Sequence, residues 1–472
     1  MPYMGTQTIH FGTSGWRGII AEDFTFSGVR RASAAIAAHV LAQKKNPTVL
    51  VGYDTRFLSE EFARTSAAVL RAHGCRVLLC QSATPTPTIA HAIIHGKLDG
   101  GVNITASHNP ASYNGLKFSG PEGGPAPVDV TKDIEKRAAV LKDEPGPHHE
   151  IEDDFESIDP RGPYFDQLSR MIRFDVLKKA KGSFVCDALH GVGAGWLDRI
   201  LHENGVSATA IRTKRDVLFD GKGPDPSEEN LAPLKKALLE SKALAGLATD
   251  GDADRFGIVD SDGTWIPPNL ILALVYDYLV DTRGWKMPAA RSVATTQMVD
   301  AVASLHRQTT YQTPVGFKYI GQLIREDKIA LGGEESAGLT IRGHVPEKDG
   351  ILACLLVAEM TAARCVSIRE QIEAMFKKLG REFHPVRENL RLTDEQKANA
   401  VKRASVDAST LLGRKVVSVD RTDGAKFVFG DGSWMLLRLS GTEPLLRLYV
   451  EADSEAATKK LLKGASDWIL KD

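Results

Sequence analysis

Several short stretches of this 472-residue chain carry residue types that can do chemistry if the fold brings them together. Thr105-Ala106-Ser107-His108-Asn109-Pro110 puts a serine hydroxyl just past the strand-like residues 101–104. The Asn-Pro pair forces a turn there, leaving the serine open to reaction. His108 and Lys117 could supply positive charge or move protons. The same stretch also reads as a surface turn whose serine caps the next segment.

A second stretch, Asp250-Gly251-Asp252-Ala253-Asp254-Arg255, ends an apolar run at residues 244–249. Three carboxylates at alternate positions converge on one hard divalent cation when the loop curls around it. A calcium hand is excluded, because its glycine and glutamate positions hold Arg255 and Ser261 here. A magnesium site with one position open to a phosphate oxygen fits better. A solvated acidic turn is disfavoured, since apolar runs flank the loop on both sides.

Gly332-Gly333-Glu334-Glu335-Ser336-Ala337-Gly338 follows the strand-like residues 329–331. Its paired acids can accept hydrogen bonds from neighbouring hydroxyls of a polyol. An acidic loop without a ligand is an equal reading. Lys318, in Gly316-Phe317-Lys318, is expected in the same pocket. Arg438-Leu439-Ser440-Gly441-Thr442-Glu443-Pro444, with Arg447 beyond, gathers amides, hydroxyls and guanidinium groups into a phosphate cradle, a hairpin turn, or both. Residues 12–18 read as a flexible loop carrying Arg17. No strand precedes it, so it is no dinucleotide fingerprint.

Elements must hold these stretches in place, and their pattern is strand alternating with helix. Strands are expected at residues 48–52 and 75–80 around a helix at 60–73. The pattern restarts with strands at 183–187, 207–211 and 244–249 and a helix at 194–204. A third round has strands at 291–295 and 328–331, with helices at 297–305 and 317–326. Such repeats imply α/β domains, whose functional loops lie at the carboxyl ends of strands. The last hundred residues differ. A helix at 395–411 precedes closely spaced strands at 415–419, 426–429, 434–439 and 446–450, and a helix at 454–470 closes the chain. Short turns there imply an antiparallel sheet backed by helices. The expected architecture is three α/β domains (1–155, 156–261, 262–378) and an α+β cap (379–472). Linkers are expected at 143–162, 260–264 and 379–389, with His148 and His149 as a solvated pair.

Composition narrows the partner. The chain carries 59 basic and 60 acidic side chains, so no global field exists to hold nucleic acid or an anionic membrane. A small molecule is expected instead. Five scattered cysteines without a CxxC pair suit a reducing compartment and give no zinc framework. No signal peptide and no membrane span are evident, so a cytoplasmic enzyme is expected.

Taken together and in this order, the serine loop, the DGDAD metal loop, the GEESAG loop and the C-terminal phosphate loop resemble the α-D-phosphohexomutase superfamily over nearly the whole chain. The resemblance implies four domains around a central cleft. It implies that Ser107 carries a phosphoryl group and joins Asp250, Asp252 and Asp254 around Mg²⁺. Lys117 would handle protons, with His108 beside it, and Arg17 and Arg255 would face the same site. Glu334, Ser336 and Lys318 would read the sugar. Arg438, Ser440, Gly441, Thr442 and Arg447 would hold the phosphate that is not transferred. The implied reaction moves a phosphoryl group between C1 and C6 of a hexose through a 1,6-bisphosphate, with glucose 1,6-bisphosphate as activator. Glucosamine-type members usually carry GEQSGH and dual mannose/glucose members often GEMSGH. GEESAG lacks the histidine and resembles the phosphoglucomutase branch, so glucose is expected first and mannose second. A monomer or homodimer is expected. A non-catalytic relative would be expected to lose the serine or a metal carboxylate, and a phosphatase would have no need of the far phosphate cradle.

Overall fold

The computed structural model describes residues 8–12, 15–141, 154–439 and 445–470. The first of four sheets has the strand order Trp16–Ile19, Tyr113–Ser119, Gly100–Ile104, Thr48–Tyr53, Arg76–Cys80, Glu156–Ile158. The last four strands are parallel and the first two pair antiparallel. Parallel strands need helical crossovers, which cover both faces of the sheet. Thr48–Tyr53 accordingly points Val49 and Val51 into one core beneath Phe26–Gln43 and Ser59–Ala72. Leu50 points into another, against Thr86–His95.

The second sheet orders Trp265–Ile266, Phe256–Asp260, Ala245–Thr249, Phe184–Asp187, Ala208–Ile211, and the third Thr310–Thr313, Ala289–Ser292, Leu331–Glu334, Gly338–Ile341. All three sheets share one device. The last parallel strand turns back into an antiparallel neighbour, pairing Ile104 with Leu116, Thr249 with Phe256, and Glu334 with Gly338. The serine, aspartate and glutamate loops are the bends of these three hairpins. The second and third sheets share one core, in which the buried helices Pro268–Arg283 and Gly350–Arg364 pack.

The C-terminal sheet is antiparallel throughout, ordered His384–Arg391, Leu445–Ala452, Trp434–Leu439, Ala425–Phe429, Arg414–Asp420, Thr410–Leu411. Helices Asp394–Ala404 and Glu455–Leu470 complete the cap, and Leu461, Ala465 and Ile469 enter its core. Trp434, Leu436 and Tyr449 instead pack on Val293 and Ala294, just past the third sheet's strand Ala289–Ser292, tying cap to body. Buried polar contacts reinforce the joint: Lys426 donates to the Val293 carbonyl at 2.9 Å, and the Gln297 N–H donates to Glu451 at 3.1 Å.

Several sequence expectations are corrected. Arg17 lies in a strand, paired with Gly115, because the short Trp16–Ile19 finds an edge position that its four residues do not advertise. The stretch 379–389 joins the third domain to the cap as expected, but its second half is regular: His384–Arg391 is an eight-residue edge strand with the polar alternation of one exposed face. Residues 260–264 form a tight turn inside the second sheet, where Asp260 also accepts from the Ile368 and Arg369 amides. The helix expected to 411 stops at Ala404, and the one expected from 194 starts at Leu197. Glu156–Ile158 pairs with the first sheet and Trp265–Ile266 with the second, each across an expected boundary. The rest of the first linker, including His148 and His149, lies outside the described residues. Among the described residues no single helix is long and apolar enough to cross a membrane. All five cysteines are free thiols, four of them buried.

Candidate active site

Ser107 sits at the bend after Gly100–Ile104 in the left-handed region, at φ 54°. Its amide donates to Thr105 Oγ1 at 2.9 Å, and its hydroxyl donates to Asp250 Oδ2 at 2.7 Å. His108 Nδ1 lies 3.3 Å from the same hydroxyl. The second hairpin therefore meets the first at its reactive atom. Ala253, at φ 57°, kinks the aspartate loop so that Asp250, Asp252 and Asp254 turn inward, their oxygens within 4.8 Å of one another.

All three aspartates are buried. Lys117, from the strand Tyr113–Ser119, donates to Asp252 at 2.6 Å and to Asp254 at 2.9 Å. Thr86 donates its hydroxyl to Asp252 at 2.6 Å and its amide to the Asp252 carbonyl at 3.0 Å. The Arg255 amide donates to Asp250 at 3.0 Å, and its guanidinium lies 3.9 Å from Asp254. Arg17 donates to Asn109 at 2.7 Å in the serine loop. Even so, Asp252 Oδ1 and Asp254 Oδ1 are buried without a hydrogen-bond partner among the described residues. Orphaned buried carboxylate oxygens are costly unless a cation answers them. Three buried carboxylates each offering an oxygen within 4.8 Å of the others make a hard-cation donor set. The cluster can hold a metal ion.

Electrostatics follow the geometry. Burial raises the Asp250 carboxyl well above its ordinary range, and Asp252 and Asp254 raise it further. Burial also works against ionised Asp254, but Lys117, Lys348 and Arg255 outweigh it and hold that group low. Desolvation, then Arg255 and Arg17, keeps His108 well below its usual value.

Lys348, which the sequence reading passed over, is the main addition. Its Nζ lies 3.2 Å from Asp254 and 2.9 Å from Glu347. Its stem crosses the glutamate hairpin, where a β-carbon on Gly338 would come within 2.4 Å of it. Asp349 beside it caps helix Gly350–Arg364 and accepts from Tyr164 at 2.7 Å, with His344 also at 2.7 Å. That buried network pins Lys348 between the aspartate and glutamate loops. Its only sequence signal is a charged Glu-Lys-Asp-Gly opening a long apolar helix, which reads as an ordinary N-cap.

The glutamate loop is shorter than expected. Gly332, Gly333 and Glu334 belong to the strand Leu331–Glu334, not to a loop after it. Their sequence looked like a turn because the strand is sandwiched: β-carbons would meet Ile320 at 2.3 Å and Leu272 at 2.2 Å. Glu334 accepts from the Gly316 amide at 2.7 Å, and burial followed by Glu335 pushes it up to about 7. Glu335 accepts from Ser292 at 2.9 Å and Thr295 at 3.2 Å, and Ser336 is half-buried at the bend. Lys318 stands two residues after Gly316, at the start of the helix Phe317–Arg325. It lines a crevice between the first and third domains with Glu122, Pro346 and Arg325, its ammonium over the Tyr319 ring.

In the cap, Arg438 and Arg447 are cross-strand partners flanking the fourth hairpin. Arg438 donates to Asp423 at 2.9 Å, and Asp423 also accepts from the Val315 amide at 3.0 Å, next to Gly316. Ser440, Gly441 and Thr442 lie outside the described residues.

Four family models for phosphoglucomutase/phosphomannomutase match in succession: α/β/α domains I, II and III at residues 8–144, 162–263 and 267–379, and the C-terminal domain at 388–465. The chain belongs to this family. Its activity is that of a phosphohexose mutase. A phosphoglucomutase/phosphomannomutase of Thermococcus kodakarensis is 30% identical, the alignment covering 96% of each chain. A probable phosphoglucosamine mutase of Methanosphaera stadtmanae is 28% identical over 97% of this chain and 98% of that one. Among solved structures, a candidate phosphomannomutase of Thermus thermophilus superposes with a TM-score of 0.86 at 33% identity, covering 98% of this chain and 99% of that one.

Proposed function

We propose that this enzyme interconverts hexose 1-phosphate and hexose 6-phosphate, glucose first, with the phosphoryl group carried on Ser107 Oγ and Mg²⁺ held by Asp250, Asp252 and Asp254. The observation that carries the reading is the 2.7 Å contact between Ser107 Oγ and Asp250 inside a buried carboxylate triad in which two oxygens lack a hydrogen bond among the described residues. Bound there, Mg²⁺ supplies charge stabilisation to the transferring phosphoryl group. Lys117, Lys348, Arg255 and Arg17 add positive charge on the other sides.

In the first half-reaction the Oγ–P bond of phosphorylated Ser107 breaks as a free sugar hydroxyl bonds to phosphorus, giving a 1,6-bisphosphate, and the proton that hydroxyl loses ends on the released Ser107 Oγ. The bisphosphate turns end over end, Arg438 and Arg447 with the loop between them taking whichever phosphate is not reacting. In the second half-reaction Ser107 Oγ recovers the other phosphoryl group. Its proton passes, by way of a base, to the sugar oxygen that leaves as the other ester bond breaks. Lys117, assigned from sequence as that base, is instead engaged as a donor by two carboxylates and contributes charge. A loose phosphoryl-transfer transition state depends on alignment and charge more than on a strong base.

Glucose is favoured by the GEESAG loop and its phosphoglucomutase-like sequence. Relatives named for both glucose and mannose support a second reading, a dual enzyme. Monomer or homodimer remains the proposed assembly. The test is a coupled assay with Mg²⁺ and a trace of glucose 1,6-bisphosphate, comparing glucose 1-phosphate with mannose 1-phosphate. A strong glucose preference supports the first reading, and comparable rates support the dual enzyme. Ser107→Ala should abolish turnover with the fold intact; appreciable turnover in that variant overturns the phosphoserine mechanism.

A further inference from the structure

Beneath the serine loop lies a residue that touches no reacting atom yet holds the whole bend. Arg56 follows the strand Thr48–Tyr53 and is fully buried. Its Nε donates to Asp54 at 3.1 Å. Nη1 donates to the Pro110 and Tyr113 carbonyls at 2.8 and 3.1 Å, and Nη2 to the Ser107 and Asn109 carbonyls at 2.6 Å each. The five N–H groups of the guanidinium thus meet five acceptors, four of them main-chain oxygens of one loop.

We propose that Arg56 is the positioning residue for the phosphoryl-carrying serine, fixing the direction of Ser107 Oγ through the loop backbone. The inference rests on the phosphoserine reading. Its physical basis is strain. A serine in the left-handed region costs on the order of 1 kcal/mol and persists only where its surroundings over-determine it. Here one hydrogen bond grips each side of the strained residue: Thr105 Oγ1 takes the Ser107 N–H, and Arg56 takes the Ser107 carbonyl. Removing Arg56 would strand four carbonyls in a buried place and free the bend to relax. Lysine cannot substitute, since its three donors radiate from one atom whereas the guanidinium presents a planar fork.

The second domain holds Arg56 from the far side. Arg215 donates to the Thr55 carbonyl at 3.0 Å and the Arg56 carbonyl at 3.1 Å, and the Phe219 ring centre lies 5.1 Å from the guanidinium carbon. The loop that carries the serine and the domain that carries the aspartates are therefore registered through one guanidinium.

The test is the single-turnover rate constant for phosphorylation of Ser107 by glucose 1,6-bisphosphate with Mg²⁺, read by intact mass together with the final phosphorylated fraction. Arg56→Lys should reach the full phosphorylated fraction with a rate constant lower by about 30-fold or more, and half-saturation by the bisphosphate should change less than about threefold, as for a misdirected but occupied site. Arg56→Ala should regain rate on addition of methylguanidinium. A wild-type rate constant in Arg56→Lys, or a reduced final fraction formed at the wild-type rate, overturns the proposal by reducing Arg56 to a stabilising role. Should neither Arg56 variant fold, Arg215→Met, at an exposed position, decides: a loss of about threefold to tenfold in the same rate constant supports the proposal, and no change overturns it. Wild-type enzyme that takes no phosphoryl group on Ser107 sinks the phosphoserine reading itself, and the inference with it.

Discussion

Gly251 lies directly beneath the Ser107 carbonyl, so close that a β-carbon built on it would stand 2.5 Å from that oxygen. The same β-carbon would meet the Pro224 ring at 2.8 Å. The glycine between the first two aspartates is therefore a spacing requirement between two domains: with any side chain there, the aspartate loop could not reach the serine hydroxyl. Gly251→Ala should lower thermal stability by about 1–3 kcal/mol, the usual cost of overpacking. It should also lower kcat by about tenfold or more through separation of Ser107 from Asp250. A melting curve and a coupled rate assay on the same preparation check both, and unchanged kcat would show that the loops yield without losing register.

Lys348 and Lys318 invite a direct contrast, because the sequence marks the second and the structure brings the first to Asp254. Lys348→Met removes a buried cation 3.2 Å from Asp254 and leaves Glu347 without its 2.9 Å partner. A kcat loss of about 10²-fold or more is expected, with some loss of stability from the stranded charge. Lys318→Met, in the crevice between the first and third domains, should leave kcat within about threefold of wild type if Lys348 is the cation that serves the transfer. Steady-state kinetics on the two variants decide between the assignments.

Glu334 makes stability depend on pH in a defined direction. Its folded-state carboxyl titrates at about 7 because it is buried beside Glu335, against an unfolded value near 4.5, with Lys348 and Arg255 opposing the rise. The native state thus binds the extra proton, so this contribution is fully present below about pH 4.5 and is lost as pH rises through 7. Glu334→Gln, which keeps an acceptor for the Gly316 amide, should become increasingly more stable than wild type between pH 5 and 7, by at most about 3 kcal/mol, and level off above. Thermal melts of both proteins across that range give the difference curve; a flat one refutes the assignment.

Asp423 links the cap arginine to the body. It accepts from Arg438 and from the Val315 amide through the same oxygen. Asp423→Ala and Arg438→Ala should each raise KM for the phosphosugar, by about tenfold for Arg438, while saturating glucose 1,6-bisphosphate still phosphorylates Ser107. Loss of phosphorylation as well would move Arg438 into the transfer step.

The sequence by itself determined which chemistry is possible here. Local spacing is enough to mark the serine turn, the alternating aspartates and the cap arginines, because each motif is contiguous and its turn chemistry is written in Asn-Pro, Gly and alternating acids. Apolar runs broken by helical patterns were likewise enough for three α/β units and an antiparallel cap. What only the tertiary structure decided is which side chains from different elements meet. Arg56 follows an unremarkable buried strand, Lys348 precedes a core helix, and Thr86 opens another. Each matters because an element distant in sequence supplies its partner: Ser107 lies 51 positions from Arg56, and Asp252 lies 166 positions from Thr86. Glycine misled for the same reason. Gly332 and Gly333 read as a loop in one dimension, yet they are strand residues whose missing side chains make room for Ile320 and Leu272. Close approach between elements leaves no periodic trace in a single chain, so the packing that aims Ser107 at Asp250 became visible only in three dimensions.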